Sequence, residues 1–266
     1  ISKMKHVTSP LVTSLCFVVT KASEGRVFGG ENLRPDEHTY LVHLSIIGVN
    51  YKIYVCSGSV INQNWIISAA HCFHNGGYII IVRQDVDNIH RLVASEILPE
   101  VVIYPGYEYR YPSHVSKNLE KDVALMKLAH KMMFDDWLQP IPLSEHPVNI
   151  GEEVIITGYG NSETGKPVPR EGTTDVTQCS ERLLGYKVIC TNAVVRIGKG
   201  DSGGAMVSKG RLVGVISSST CSDVEARKVC ESIYIEVAKY ITWICELKVL
   251  TNSHFTVKPI FKKGRE

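Results

Sequence analysis

The chain has 266 residues, 44% of them hydrophobic and 21% charged, with a formal net charge of +2. That balance excludes a disordered chain and gives no global attraction to nucleic acid or to an anionic membrane. What remains is a globular protein, long enough for one large all-β domain or two small ones and able to bury a core.

Met4-Lys5-His6 is a short basic start, Leu11 to Val19 is mostly apolar, and Thr20 and Ala22 are small residues ahead of a cut. This order predicts a signal peptide over 1–22, with Ile1 to Lys3 lying upstream of the start methionine. The apolar run is too short to span a bilayer, so the expectation is a secreted, extracellular protein with no membrane partner. From Leu41 onward the text reads as strands. His43 to Ile46 and Tyr51 to Val55 flank a Gly48-Val49-Asn50 turn, and Gly58 to Ile61 leads through Asn62-Gln63-Asn64 to Trp65-Ile66-Ile67. Tyr78 to Val82, Val101 to Tyr104, Val123 to Leu128, Glu153 to Thr157 and Leu212 to Ser217 continue the pattern. Short strands broken by Gly, Pro and Asn fit a sandwich or a barrel. The one helical signal is near the end, where Val237, Tyr240, Ile241, Ile244 and Leu247 recur at helical spacing. Residues 251–266 carry Lys258, Lys262, Lys263 and Arg265 without periodicity and read as a basic tail.

Eight cysteines, none in a C-x-x-C pair, point to an oxidising compartment and away from a zinc site. Cys16 falls inside the signal; the other seven suggest a disulfide framework whose connectivity spacing does not fix.

Three local motifs follow one another along the chain: Ser68-Ala69-Ala70-His71-Cys72, Asp122-Val123-Ala124-Leu125, and Gly200-Asp201-Ser202-Gly203-Gly204. Each alone has a plain structural reading, as a histidine beside a cysteine, a turn before a strand and a tight loop. Together they supply what acyl transfer needs. A serine hydroxyl is a poor nucleophile until a neutral imidazole takes its proton, and a buried carboxylate fixes the imidazole tautomer. In this order the motifs resemble the trypsin/chymotrypsin family of serine peptidases, and the resemblance runs from Val27 to about Val249. It implies two packed antiparallel β-barrels with a C-terminal α-helix, and a serine endopeptidase working through an acyl-enzyme without a cofactor or metal. It assigns His71, Asp122 and Ser202 as the catalytic triad and the backbone N–H groups of Gly200 and Ser202 as the oxyanion hole, where losing one donor costs about 3 kcal/mol.

The same resemblance reads residues 23–26 as an activation peptide and 27–250 as the peptidase domain. Cleavage after Arg26 would free the Val27 amine to pair with Asp201 and order the site; Phe28 stands where a smaller β-branched residue is expected. It implies disulfides Cys56–Cys72 and Cys179–Cys190. Gly198 occupies a usual cysteine position, which orphans Cys221, so Cys221–Cys230 is the expected alternative. Cys245 is left as a buried thiol or an intermolecular bridge. Arg196, six residues before Ser202, falls at the base of the specificity pocket, with Ser219 and Ser232 on its walls. A lysine or arginine substrate side chain would meet a like charge there, unless the shortened loop turns Arg196 to solvent. Expected partners are protein or peptide substrates, an activating trypsin-like protease and protein inhibitors. The altered pocket leaves a rival in view, a non-catalytic homologue that acts by binding.

Overall fold

The computed structural model describes residues 27, 29–34, 36–48, 51–74, 77–86, 89–109, 118–160, 169–183, 185–193, 195–220, 230–247 and 249. The expected signal peptide, the activation segment with Arg26, Phe28, Cys16, Cys221 and the basic tail lie outside them.

Strand β1 is Glu31–Asn32, β2 Leu41–Gly48, β3 Ile53–Asn62, β4 Trp65–Ser68, β5 Gly77–Val86, β6 Ile89–Ile97, β7 Glu100–Ile103 and β8 Ala124–Lys127. After a long connection come β9 Glu153–Gly158, β10 Arg170–Thr177, β11 Ile189–Ala193, β12 Ala205–Ser208, β13 Arg211–Ser219 and β14 Cys230–Glu236, then a helix, α1, over Ile241–Glu246. One antiparallel sheet has the order β6-β5-β2-β3-β4-β8-β7. Its two edge strands are joined through only Leu98 and Pro99, so the sheet curls on itself. The other has the order β1-β10-β11-β14-β13-β12-β9, and a β9–β10 ladder closes it into a ring that leaves β1 as an extra strand on β10. Sandwich or barrel, open from strand count alone, resolves to two barrel-like sheets.

The strand signals of the sequence overlap β2 to β5, β7 to β9 and β13; Tyr51 to Val55 and Gly58 to Ile61 merge into the one strand β3, which begins at Ile53, and β7 and β8 stop short of Tyr104, Val123 and Leu128. Those not singled out are instructive. β10 alternates strictly between buried and open positions, but its buried residues include Gly172 and Thr174, so the period carries little apolar signal. β6 places Arg91 and Ser95 among its apolar residues.

The barrels are joined by packing as well as by chain. Leu44, Ile66, Ile80 and Leu125 of the first barrel share one apolar core with Val215 and Ile235 of the second and with Ile244 of α1. The helix caps this seam, and the rings of Tyr240 and Trp243 stand edge-on to Tyr104 at 4.7 and 5.2 Å. The connection between barrels is strapped to both. Ile141 N–H donates to the Val60 carbonyl, and Leu212 N–H to the Pro142 carbonyl, both at 2.9 Å. The active-site residues lie on loops along this seam, so their spacing depends on its packing.

Leu125 tests the dependence. It is fully buried in β8, pairs with Ile67 and Val102, and follows Asp122 by three residues. Leu125→Ala should cost about 2–5 kcal/mol, seen as a lower urea midpoint at unchanged slope. A loss below about 1 kcal/mol would show that β8 is not part of the cooperative core.

Candidate active site

His71 sits on a single 3-10 turn, Ala70–Phe73, directly after β4. The Cys56–Cys72 disulfide ties the next residue to β3, so the imidazole is carried on backbone held from both sides. Asp122 lies between another 3-10 turn, Leu119–Lys121, and β8. One carboxylate oxygen, Oδ1, accepts from His71 N–H at 2.8 Å, and the other, Oδ2, lies 2.7 Å from His71 Nδ1. A carboxylate can only accept, so the bridging proton belongs to Nδ1 and Nε2 is left as the base. Oδ2 also accepts from Ser217 Oγ at 2.6 Å. That third donor comes from the second barrel. Strand register slips between Ile216 and Ser218, and the bulge turns the intervening Ser217 toward Asp122.

Burial is the largest single influence on both members of the pair and opposes charge on each. For His71 the Asp122 charge and hydrogen bond together outweigh it, and the imidazole pKa is raised above 6.5. For Asp122 burial is again outweighed, by the His71 charge and by the donors on its oxygens, and the carboxyl pKa is lowered.

Ser202 lies in the loop between β11 and β12. Its carbonyl accepts from Ser57 N–H at 2.7 Å, which ties the loop to the first barrel. Its hydroxyl donates to the Ser217 carbonyl at 3.5 Å, a long contact that leaves Oγ weakly held. In unliganded sites the nucleophile–base contact commonly tightens only when substrate is bound. The backbone donors of this loop divide cleanly. Asp201 N–H donates to Gly198 O, Gly203 N–H to Ile216 O and Gly204 N–H to Asp201 O. Gly200 and Ser202 donate to nothing among the described residues. Two uncommitted N–H groups flanking Asp201, beside a nucleophile, are what a developing oxyanion requires. Gly200 is at φ +98°, and a Cβ there would lie 3.0 Å from the Gly160 Cα, so both conformation and space demand glycine.

Asp201 is fully buried. Its Oδ1 accepts from Gly160 N–H at 2.7 Å and its Oδ2 from Gly198 N–H at 2.8 Å. Val27 is also fully buried, in the second-barrel cluster with Val154 and Ile216 and beside Val195. Arg196 is fully buried as well. The alternative in which the shortened loop turns it to solvent is therefore corrected: the chain is pinned next door, where Ile197 N–H donates to Ser232 Oγ at 3.3 Å. Ser232 faces Ser219 across the β13–β14 ladder, so all three residues assigned to the pocket lie in one neighbourhood.

Cys56–Cys72 and Cys179–Cys190 are both formed. Cys230 is disulfide-bonded, and its expected partner Cys221 lies outside the described residues. Cys245, read as a buried thiol or an intermolecular bridge, is unbridged within the chain and half-buried, and burial pushes its pKa up. Two residues escaped the sequence reading. Ser217 was visible only as one member of a serine run, and no local pattern reveals a bulge. Ser57 was visible only as the residue after Cys56.

His71 gives a direct check on this electrostatics. Its imidazole titration, followed by NMR, should have a midpoint above 6.5. Asp122→Asn should move the midpoint down, since the charge is lost while burial remains. A midpoint unchanged by that substitution would mean Asp122 does not set the proton affinity of His71.

Comparison with known proteins agrees with this geometry. A family profile described as Trypsin matches residues 27–244. Trypsin II-P29 of Gallus gallus is 28% identical over 85% of this chain and 90% of its own length. Snake venom serine protease HS112 of Bothrops jararaca is 29% identical over 91% of this chain and 93% of its own. Among solved structures, HL collagenase superposes with a TM-score of 0.67 at 22% identity, covering 83% of this chain and 97% of that one. Mouse neuropsin gives 0.65 at 19%, covering 82% and 98%. A match that spans the whole of both barrels, together with a His-Asp-Ser site built on their seam, places this chain in the trypsin family of serine endopeptidases.

Proposed function

We propose that the chain is a secreted zymogen, switched on by cleavage after Arg26, whose serine endopeptidase activity is directed to acidic or small P1 residues. In the reaction, His71 Nε2 takes the Ser202 proton as Oγ attacks the scissile carbonyl. The oxygen that becomes negative is received by the Gly200 and Ser202 N–H groups. His71, held by Asp122, returns the proton to the leaving amine, and water then repeats the sequence on the acyl-enzyme. Every proton in this cycle passes through one imidazole nitrogen, so the fixed Nδ1–Asp122 contact matters more than any other.

Activation is assigned to Arg26–Val27 because the Val27 side chain belongs to the second-barrel core and Asp201 is a buried charge without a role in proton transfer. By the family resemblance, the freed Val27 ammonium would pair with that carboxylate, and a buried ion pair formed only after cleavage can order a loop.

The observation that carries the specificity is the burial of Arg196 six residues before the nucleophile. A cationic P1 side chain would bring a second positive charge toward it with little water between them, at a cost of several kcal/mol, about 4 for two charges 4 Å apart in a partly shielded site. An acidic or a small side chain avoids that repulsion. The enzyme would then fail to cut its own Arg26–Val27 bond, so the activator is a separate trypsin-like protease.

A P1 scan with a peptide library on the cleaved chain tests this. The expected order is acidic and small residues ahead of Lys and Arg, with Arg196→Asp raising the cleavage after basic residues. Efficient cleavage after Lys or Arg by the parent would refute the pocket assignment. Cleavage after no residue would favour the non-catalytic, binding reading instead.

A further inference from the structure

We propose that Ser57 is a positioning residue for the oxyanion hole: its hydroxyl clamps the Gly200–Asp201 peptide and so holds the two N–H donors on either side of it. The inference rests on the catalytic reading above and adds a residue to it from the opposite barrel.

Ser57 is fully buried in β3, next to the Cys56–Cys72 disulfide. All of its polar atoms are used. Its N–H donates to the Ser202 carbonyl at 2.7 Å, and its own carbonyl accepts from Ser68 Oγ at 2.8 Å. Its hydroxyl accepts from Tyr159 N–H at 2.8 Å. The one hydroxyl proton is therefore free to point only at its other neighbour, the Gly200 carbonyl, 3.0 Å away.

That carbonyl is well placed to govern the hole. Three consecutive peptide units matter. The first ends in Gly200 N–H, the second carries Gly200 C=O, and the third ends in Ser202 N–H. The middle unit shares a Cα with each of the others, so turning it re-aims one donor relative to the other. Gly200 at φ +98° has no Cβ to restrict such a turn. The conformational freedom that glycine brings is removed here by a side chain, and the Ser57 hydroxyl supplies the bond. The same hydroxyl grips Tyr159, whose neighbour Gly160 holds the Asp201 carboxylate, so both sides of the loop are referred to one atom.

Truncation to alanine would leave the Gly200 carbonyl and the Tyr159 N–H without this partner, while the backbone bond to Ser202 survives. The test compares the cleaved parent with Ser57→Ala on the best peptide amide from the P1 scan and on the matching peptide aldehyde, whose oxygen enters the hole once Ser202 adds to it. Ser57→Ala should lower kcat about 10- to 100-fold with KM within about twofold, and should weaken the aldehyde by the factor lost from kcat/KM. Ser57→Thr, which keeps the hydroxyl, should recover kcat to within about fivefold, whereas the equally shaped Ser57→Val should not. An unchanged kcat, a rise in KM alone, or a fall in kcat without a weaker aldehyde would overturn the proposal. If Ser57→Ala does not fold, the Thr and Val pair decides by the same readouts. Failure of every variant to fold would make Ser57 a stability residue and overturn it too. A cleaved parent that neither turns over nor binds the aldehyde overturns the catalytic reading and this inference with it. An active parent with an insensitive Ser57→Ala overturns this inference alone.

Discussion

The Asp122 carboxylate is buried at the seam between the barrels and accepts from His71 N–H, His71 Nδ1 and Ser217 Oγ. A charge in that position is tolerable only if donors surround it, because solvent is excluded. Satisfying it fixes three things at once: the placement of the His71 backbone, the tautomer of its ring and the register of the second barrel at Ser217. The first two donors come from the first barrel and the third from the other. The carboxylate is therefore a lock between the halves of the molecule as well as the group that orients the base.

The nucleophile loop is held in a complementary way. Its carbonyls at Gly200 and Ser202 are both bonded to Ser57, and its Asp201 side chain is held by Gly160 and Gly198 N–H groups. Among the described residues, the Gly200 and Ser202 N–H groups remain uncommitted. A site prepared in this manner needs little reorganisation when charge develops on a substrate oxygen, and such preorganisation is commonly the largest contribution to catalysis. The two barrels thus divide the work. His71, Asp122 and Ser57 come from the first, and Gly200, Ser202 and Ser217 from the second.

Much of this was readable from sequence because it is written in contiguous residues. The His71, Asp122 and Ser202 motifs each combine a reacting side chain with the small or apolar neighbours that place it, and the apolar strands β2 to β5 announce themselves by β-branched residues. What was not readable depends on through-space register. β10 hides because its buried positions hold glycine and threonine, which pack well in a closed ring but carry no hydrophobic period. Ser217 reaches Asp122 only through a bulge, and Ser57 reaches Gly200 across 143 residues of chain. The fate of Arg196 was open for the same reason. A long cationic side chain often finds water, yet this one is fully buried beside the bond from Ile197 to Ser232.

Arg196 and Asp201 are both fully buried in the second barrel. The account stands or falls on whether Ser202 becomes a nucleophile when, and only when, the Arg26–Val27 bond is cut. Fluorophosphonate labelling followed by peptide mapping measures this directly, with the cleaved chain, the uncut Arg26→Gln chain and cleaved His71→Ala side by side. The account predicts an adduct on Ser202 in the cleaved chain and little or none in the other two; no adduct in the cleaved chain, or equal labelling in the uncut one, would contradict it.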